Sequence, residues 1–198
     1  MPGEAAAAAY TSCADFVARE RDGADRHEWL AGHVYAMAGG TLAHGALGAA
    51  AASELRSIAL GCGCVVYGSD AMVRVTATGL ASYPDASVVC GPLAVDPDNA
   101  RAMTNPSVVV EVLSKRTEAY DRGEKFAHYR RLASLGDYVL VSQTEVALEV
   151  YSREGDTWVL RTAGPGESVP LSAMAGRLAA DRVYAGVALE EPAAEAAS

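Results

Sequence analysis

Two strand-like segments decide the fold: YPDASVV (residues 83–89) and PSVVVEVL (residues 106–113). Each is an apolar run that contains one carboxylate, Asp85 in the first and Glu111 in the second. An unpaired charge taken out of water costs on the order of several kcal/mol, so a buried strand holds a carboxylate only where a partner or a metal ion meets it. Two such strands therefore favour a shared cation.

The segment that follows, residues 114–131, carries Asp121 and Lys125. On a helix these two residues are i,i+4 neighbours and share a face. Two metal-binding carboxylates and a nearby ammonium group are the parts needed to hydrolyse a phosphodiester with Mg²⁺. The competing interpretation is an ordinary surface ion pair worth roughly a few tenths of a kcal/mol, and the spacing alone favours it.

The length and composition of the chain predict one domain. The chain has 198 residues, of which 51% are hydrophobic, and this is enough for a single core. We expect one domain over residues 12–189, a disordered N-terminus (1–11) and a disordered acidic tail (190–198). Residues 1–9 lack the basic region of a signal peptide, and no apolar stretch approaches the ~20 residues of a membrane span. These features predict a cytoplasmic protein.

The four cysteines, Cys13, Cys62, Cys64 and Cys90, are scattered along the chain. A disulfide framework is not expected in a protein that is not secreted, so all four are predicted to be reduced thiols. The one-residue spacing between Cys62 and Cys64 is tighter than that of the usual zinc ligand pairs, which disfavours a zinc site.

The formal charge of −9 counts against a large, non-specific surface for nucleic acid. Residues 115–131 nevertheless contain six cations within a short region. Such a group is either the solvated face of a helix or a surface that faces phosphates, and the sequence leaves both interpretations open.

Hydrophobic periodicity predicts the other elements. A hairpin is expected over residues 27–37, with a turn at Ala31-Gly32. A helix is predicted over residues 41–60, ends at Gly61 and packs on a sheet. Its expected buried stripe comprises Leu42, Ala46, Ala49, Leu55 and Ile58.

Further along the chain, residues 64–75 are typical of two paired strands, and residues 91–105 have the composition of a loop. A helix is expected from Ser114 or Thr117 to about Ser134. Residues 138–141 predict a strand. A hairpin is then expected over residues 145–162, and the last ordered segment over residues 171–189.

Several of these motifs together resemble the Uma2 family of restriction endonuclease-like proteins. The resemblance is carried by the two segments with Asp85 and Glu111, by TEAYDRGEKF (residues 117–126) and by EWLAGHVYAM (residues 28–37), and it extends over about residues 16–189. The family is similar in fold to the PD-(D/E)xK nucleases. The resemblance therefore implies a mixed α/β (α+β) fold, in which a mixed β-sheet is flanked by helices and accompanied by an N-terminal β-hairpin, with a divalent-metal site.

The resemblance also implies roles for individual residues. Asp85 matches the aspartate of the family's Pro-Asp element and Glu111 its second acidic residue, so both are expected to bind Mg²⁺ or Mn²⁺. Leu113 stands where the (D/E)xK pattern has lysine. Lys125, on the following helix, resembles a migrated substitute, and Lys115 is its rival.

Three further residues, Glu28, His44 and Asp121, are candidates for the site. Glu28 resembles an additional acidic residue near the metal, with an exposed hairpin glutamate as the alternative. His44 either contacts substrate or is satisfied by a neighbour on its helix, and Asp121 is expected to orient Lys125. Asp70 is an acid near a strand end without a clear role.

The expected function is a metal-dependent endonuclease that hydrolyses DNA, acting as a homodimer or higher oligomer. The alternative is a catalytically inactive nuclease-fold module for oligomerisation or nucleic-acid binding. A hydrolase of a small phosphorylated or nucleotide substrate also fits the net acidity, although nothing in the sequence selects it.

Overall fold

The computed structural model describes residues 10–23, 25–37 and 39–190, apart from the side chain of Asp22. The predictions of disorder for residues 1–9 and 191–198 therefore lie outside the described residues. Within them, a central sheet and a second sheet pack together, and helices flank the central sheet.

The central sheet has six strands and is mixed, as predicted. Its strand order is β12-β11-β10-β9-β6-β3, with β9 and β10 parallel and the other neighbours antiparallel. The strands are β3 (Cys64–Gly68), β6 (Ala86–Cys90), β9 (Val108–Val112), β10 (Asp137–Val141), β11 (Leu148–Glu154) and β12 (Thr157–Ala163).

The second sheet contains the predicted N-terminal hairpin, and its strand order is β2-β1-β5-β4-β8-β7. The strands are β1 (His27–Leu30), β2 (His33–Ala36), β4 (Met72–Val75), β5 (Leu80–Ser82), β7 (Val95–Asp96) and β8 (Asn99–Met103). A separate two-stranded sheet is formed by β13 (Ser168–Leu171) and β14 (Gly176–Ala179). The hairpin turn has positive φ at Ala31 (47°) and Gly32 (100°), as a tight two-residue turn requires.

The helices are α1 (Cys13–Asp22), α2 (Leu42–Ala59), α3 (Glu118–Tyr120), α4 (Phe126–Tyr129) and α5 (Ala180–Tyr184), with a π-helical turn over Asp121–Lys125 between α3 and α4. We call the continuous stretch 118–129 the helical segment. Helices α2 and α5 pack on one face of the central sheet, and the helical segment packs on the other.

The alternation of side chains along β9 positions the predicted acid. Val108, Val110 and Val112 face α2, whereas Val109 belongs to the core on the side of the helical segment. Because successive strand residues point to opposite faces, Glu111 points the same way as Val109. The strand pattern thus directs this carboxylate at the helical segment.

The buried stripe predicted for α2 is wrong at Leu42, Ala46 and Ala49, but it is confirmed at Leu55, which is buried, and at Ile58, which packs against the core. Leu42 is 95% exposed, and Ala46 and Ala49 are also exposed, because the sheet lies against another side of the helix. The buried residues are Leu47, Gly48, Ala51, Glu54, Leu55 and Ala59. Small alanines surround most of the helix, so the apolar pattern did not define its inward face.

The predicted pairing within residues 64–75 is also wrong. Strand β3 pairs with β6 in the central sheet, whereas β4 pairs with β5 and β8 in the second sheet. The turn between β3 and β4 carries the chain from one sheet to the other. Residues 91–105, predicted to be a loop, contain the short strands β7 and β8, whose pairing with each other and with β4 outweighs the loop-like composition.

The helix predicted to run to about Ser134 ends earlier, at Tyr129, and includes the π-helical turn. Backbone bonds from Arg131 and Leu132 reach back only three residues, to His128 and Tyr129, so regular helix does not continue. The prediction for residues 83–89 also needs a correction. Asp85 lies just before strand β6 and not within it.

The prediction that all four cysteines are reduced is wrong for Cys64 and Cys90, which form a disulfide. The register of β3 against β6 places them directly opposite each other, with 4.1 Å between their Cα atoms. Their 26-residue separation in sequence conceals this pairing. Cys13 and Cys62 are free thiols.

Among the helices in the described part of the chain, none is long and apolar enough to cross a membrane.

The corrected phase of α2 makes a stability prediction. Leu47→Ala removes a side chain with no exposed surface and should lower the free energy of unfolding by about 2–5 kcal/mol. Leu42→Ala, on the same helix, should change it by less than about 0.5 kcal/mol. Urea unfolding followed by circular dichroism measures both variants, and the reverse ranking would contradict the burial described here.

Candidate active site

The predicted site residues surround one cavity of about 440 Å³. Its walls come from the N-terminal end of α2, the hairpin β1–β2, the ends of β9 and β10, and the helical segment. The acidic and basic side chains that line it are Glu28, His44, Asp85, Glu111, Lys115, Arg116, Asp121, Lys125 and Glu190.

A buried ion pair lies at the centre of the cavity. Lys125 Nζ lies 2.8 Å from Glu111 Oε1, and the two residues are only 5% and 4% exposed. The Tyr129 hydroxyl donates a hydrogen bond of 3.3 Å to the same carboxylate oxygen. The sheet supplies the acid and the helical segment supplies the lysine, so the pair joins the two elements.

Two more acids approach the same lysine. Asp121 Oδ1 lies 3.4 Å from Lys125 Nζ, and Glu28 Oε2 lies 4.0 Å from it. The Tyr120 hydroxyl donates a short hydrogen bond to Glu28 Oε1. The hairpin glutamate is therefore 6% exposed and part of the site, and the alternative of a solvent-exposed residue is wrong.

Asp85 lies in the wall formed by the start of α2 and the end of β9, where two hydrogen bonds hold it. Its Oδ2 accepts from the backbone N–H of Val112 at 2.7 Å, and its Oδ1 lies 2.8 Å from His44 Nε2. His44 Nδ1 in turn lies 3.3 Å from the amide nitrogen of Gln143. Val112 follows Glu111 directly, so one strand end positions both predicted metal ligands.

Gln143 holds this wall together and was not a candidate from the sequence. Its amide accepts a hydrogen bond from the Thr41 hydroxyl at 3.0 Å and donates one to the carbonyl of Leu113. It is 5% exposed and connects the start of α2 to the ends of β9 and β10. Gln143 follows a predicted buried strand by two residues, and this strand ends at the same sheet edge as Leu113. This position is the sequence feature from which Gln143 could have been predicted.

Burial and the neighbouring acids together shift the pKa values of the ionisable groups in the cavity. Burial raises the pKa of Glu111 well above its ordinary value, and nearby Asp121 and Asp85 raise it further against the lowering effect of Lys125. Burial likewise raises the pKa of Glu28. Burial alone would lower the pKa of Lys125, but Glu111 and the other acids raise it well above 10.5, so the lysine is protonated. A hydrogen bond to Asp85 raises the pKa of His44.

The donor set fits a divalent cation. Glu28, Asp85, Glu111 and Asp121 face a cavity in which Lys125 is the one buried cation among the described residues. Asp121 Oδ1 accepts no hydrogen bond, although it is buried. Carboxylate oxygens of this kind are the ligands of Mg²⁺ and Mn²⁺, and a bound ion would offset the surplus negative charge. In the described ranges, no three acidic, histidine or cysteine side chains already converge as a preformed metal cluster.

Two of the named residues lie apart from this centre. Lys115 is exposed at the mouth of the cavity, away from the buried pair. Asp70 forms an ion pair with Arg26 and borders a different cavity of about 300 Å³.

The fold is similar to that of a protein of known structure. The crystal structure of "a putative nuclease belonging to DUF820" from Anabaena variabilis matches with a TM-score of 0.65 over 81% of this chain and 90% of that one, at 16% sequence identity.

The particular family follows from the sequence comparison. The family model Uma2, described as "Putative restriction endonuclease", matches residues 13–181, and the chain belongs to this family. Two uncharacterised proteins of Synechocystis sp. are similar to this chain. The protein slr1290 is 34% identical over 83% of this chain and 86% of its own length, and sll1609 is 27% identical over 81% and 90%.

The raised carboxyl pKa values predict a pH-dependent stability. A carboxyl group whose native pKa is raised stabilises the fold below its unfolded pKa of 4.5, and this contribution is lost as the pH rises through the native value. Without divalent metal, Glu28→Gln should therefore raise the melting temperature near pH 7 by roughly 2–4 °C, corresponding to about 1 kcal/mol, with a smaller effect near pH 4.5. Thermal unfolding in EDTA across this range measures the difference.

Glu124→Gln is the matched control, because it removes the same charge from an exposed position in the same segment. A gain in stability at neutral pH that is equal in both variants would contradict the assigned role of buried Glu28.

Proposed function

We propose that this protein is a Mg²⁺- or Mn²⁺-dependent endonuclease that hydrolyses phosphodiester bonds of DNA. The observation that carries the proposal is the 2.8 Å contact between Lys125 Nζ and Glu111 Oε1 in a cavity that also contains Asp85. This brings together two carboxylates and an ammonium group, although the lysine lies one segment later than in the (D/E)xK pattern.

Asp85 and Glu111 would hold the metal ion. A bound ion would act as a Lewis acid, which activates water and offsets negative charge on the phosphate. The hydrogen bonds from His44 and the Val112 backbone N–H orient the Asp85 carboxylate and leave its remaining lone pairs available.

Lys125 acts on the substrate itself. Its ammonium group is protonated, buried and held by Glu111 and Asp121, so its position is fixed before the substrate binds. A preorganised cation in a water-poor site stabilises the negative charge that develops on the phosphoryl oxygens. Asp121 is thereby a positioning residue for the lysine, and Glu28 adds a second acid near the same nitrogen.

The second candidate function is a non-catalytic module, and one observation favours it. Lys125 has three carboxylate neighbours within 4.0 Å, which would also satisfy a purely structural buried lysine. In that version the ion pairs hold the helical segment on the sheet, and metal has no effect. The two experiments below distinguish the candidates.

Cleavage is the first test. Purified protein should nick plasmid or cut single-stranded DNA in Mg²⁺ or Mn²⁺. Asp85→Asn, Glu111→Gln and Lys125→Met should each lower the rate by about 10²-fold or more, because each removes a ligand or a charge that acts on the phosphate. Glu124→Gln, exposed on the same helical segment, should retain the activity.

Circular dichroism checks that each variant is folded. Full activity of folded Lys125→Met would overturn the role of the lysine, and an absence of metal-dependent cleavage by the parent protein would favour the non-catalytic module.

Metal binding is measured independently by thermal unfolding. A ligand that binds only the native state at 100 times its Kd stabilises the fold by about 2.7 kcal/mol. We therefore expect Mg²⁺ or Mn²⁺ to raise the melting temperature of the parent protein by several degrees, and Asp85→Asn combined with Glu111→Gln to abolish this rise. An equal rise with NaCl of matched ionic strength would show screening instead of binding.

A further inference from the structure

Two cations stand at the mouth of the cavity, on the turn between β9 and α3. Lys115 and Arg116 are exposed and line the cavity, and we call these two residues the basic lip. The turn is held by backbone hydrogen bonds from Thr117 (3.0 Å) and Glu118 (2.8 Å) to the carbonyl of Ser114. The lip therefore has a defined position relative to Glu111, at the end of the preceding strand.

The basic lip is not occupied by internal partners. Within residues 10–23, 25–37 and 39–190, neither side chain forms an ion pair or a hydrogen bond, whereas Arg122 nearby is paired with both Glu118 and Glu149. The two charges are therefore free to meet a ligand from solvent.

The interior of the cavity requires such charges if it is to admit a phosphodiester. A phosphate that enters meets Glu28, Asp85, Glu111 and Asp121 against the single buried cation Lys125. Like charges repel the substrate, and cations at the entrance of a cleft restore a favourable potential there. Each contact of a cation with a phosphate also releases counterions, which contributes to affinity.

The size of the cavity restricts what can reach the centre. Glu111 and Lys125 are 4% and 5% exposed, at the bottom of a space of about 440 Å³. This volume lies in the range of pockets for one small ligand, so the buried pair is more accessible to one unpaired nucleotide unit than to an intact duplex. The net charge of −9 also disfavours the broad basic surface with which proteins slide along duplex DNA.

We propose that the substrate enters as a single nucleic-acid strand, whose phosphate next to the scissile one is bound by Lys115 and Arg116. This inference rests on the proposed function of the cavity and assigns its substrate class. Glu190 also lines this cavity and counteracts the basic lip, because its carboxylate repels the same phosphates.

Binding tests the proposal without cleavage. Fluorescence anisotropy measures the Kd of a labelled single-stranded DNA oligonucleotide for Glu111→Gln, in Mg²⁺, at several salt concentrations. Adding Lys115→Ala and Arg116→Ala should raise the Kd about tenfold or more. The slope of log K against log salt should fall by about 0.7, since the lip binds one phosphate and each phosphate contact of a single strand contributes about 0.7.

The matched control adds Arg130→Ala and Arg131→Ala instead, which removes the same charge from two exposed positions that do not line the cavity. It should change the Kd by less than twofold.

Two further measurements complete the test. Adding Glu190→Gln to Glu111→Gln should lower the Kd. The same oligonucleotide as a blunt duplex should compete at least tenfold more weakly than the single strand.

Each other outcome contradicts part of the proposal. An equal loss in the two double variants would overturn the basic lip, equal competition by the duplex would overturn the single-strand assignment, and no binding to the oligonucleotide would overturn both. Binding that depends on the lip, combined with no cleavage by the parent protein in any metal, would retain the lip and refute the endonuclease instead.

Discussion

The buried ion pair between Glu111 and Lys125 is the constraint on which the site depends. It joins a central strand to the helical segment, and both residues are almost fully removed from water. Removing one partner of a buried pair typically costs about 3–5 kcal/mol, because the other charge is left uncompensated. The atoms that fix the packing of the helical segment on the sheet are therefore the same atoms that the proposed chemistry requires.

The π-helical turn over Asp121–Lys125 supports this pair. A π-helical turn leaves backbone groups outside the regular helical pattern, and the carbonyl of Asp121 accepts a 2.9 Å hydrogen bond from the Tyr138 hydroxyl on β10. Tyr138 also stacks on Phe126, with 5.0 Å between ring centroids. The sheet thus stabilises the irregular turn that holds the lysine, and Lys125 can reach Glu111 from a helix instead of from the strand.

The sequence predicted the strand that carries Glu111, the strand that begins directly after Asp85, the hairpin and the lysine on the following helix, because their signals are local or belong to the family pattern. It predicted the phase of α2 only in part, because alanines blur the apolar stripe. It also missed contacts set by strand order, namely the Cys64–Cys90 disulfide and the amide of Gln143 between α2 and two strand ends. Such contacts depend on which strands become neighbours, and short-range patterns carry little information about that choice.

The surplus of buried acid is the strongest physical argument that the site evolved for a ligand. Three carboxylates within 4.0 Å are enough for the three N–H donors of Lys125, but Asp85 is a fourth acid that faces the same cavity. Burial raises the pKa values of Glu28 and Glu111, and the nearby carboxylate of Asp121 raises both further. Stability sacrificed in this way is typical of functional sites, since packing alone would favour neutral side chains at these positions.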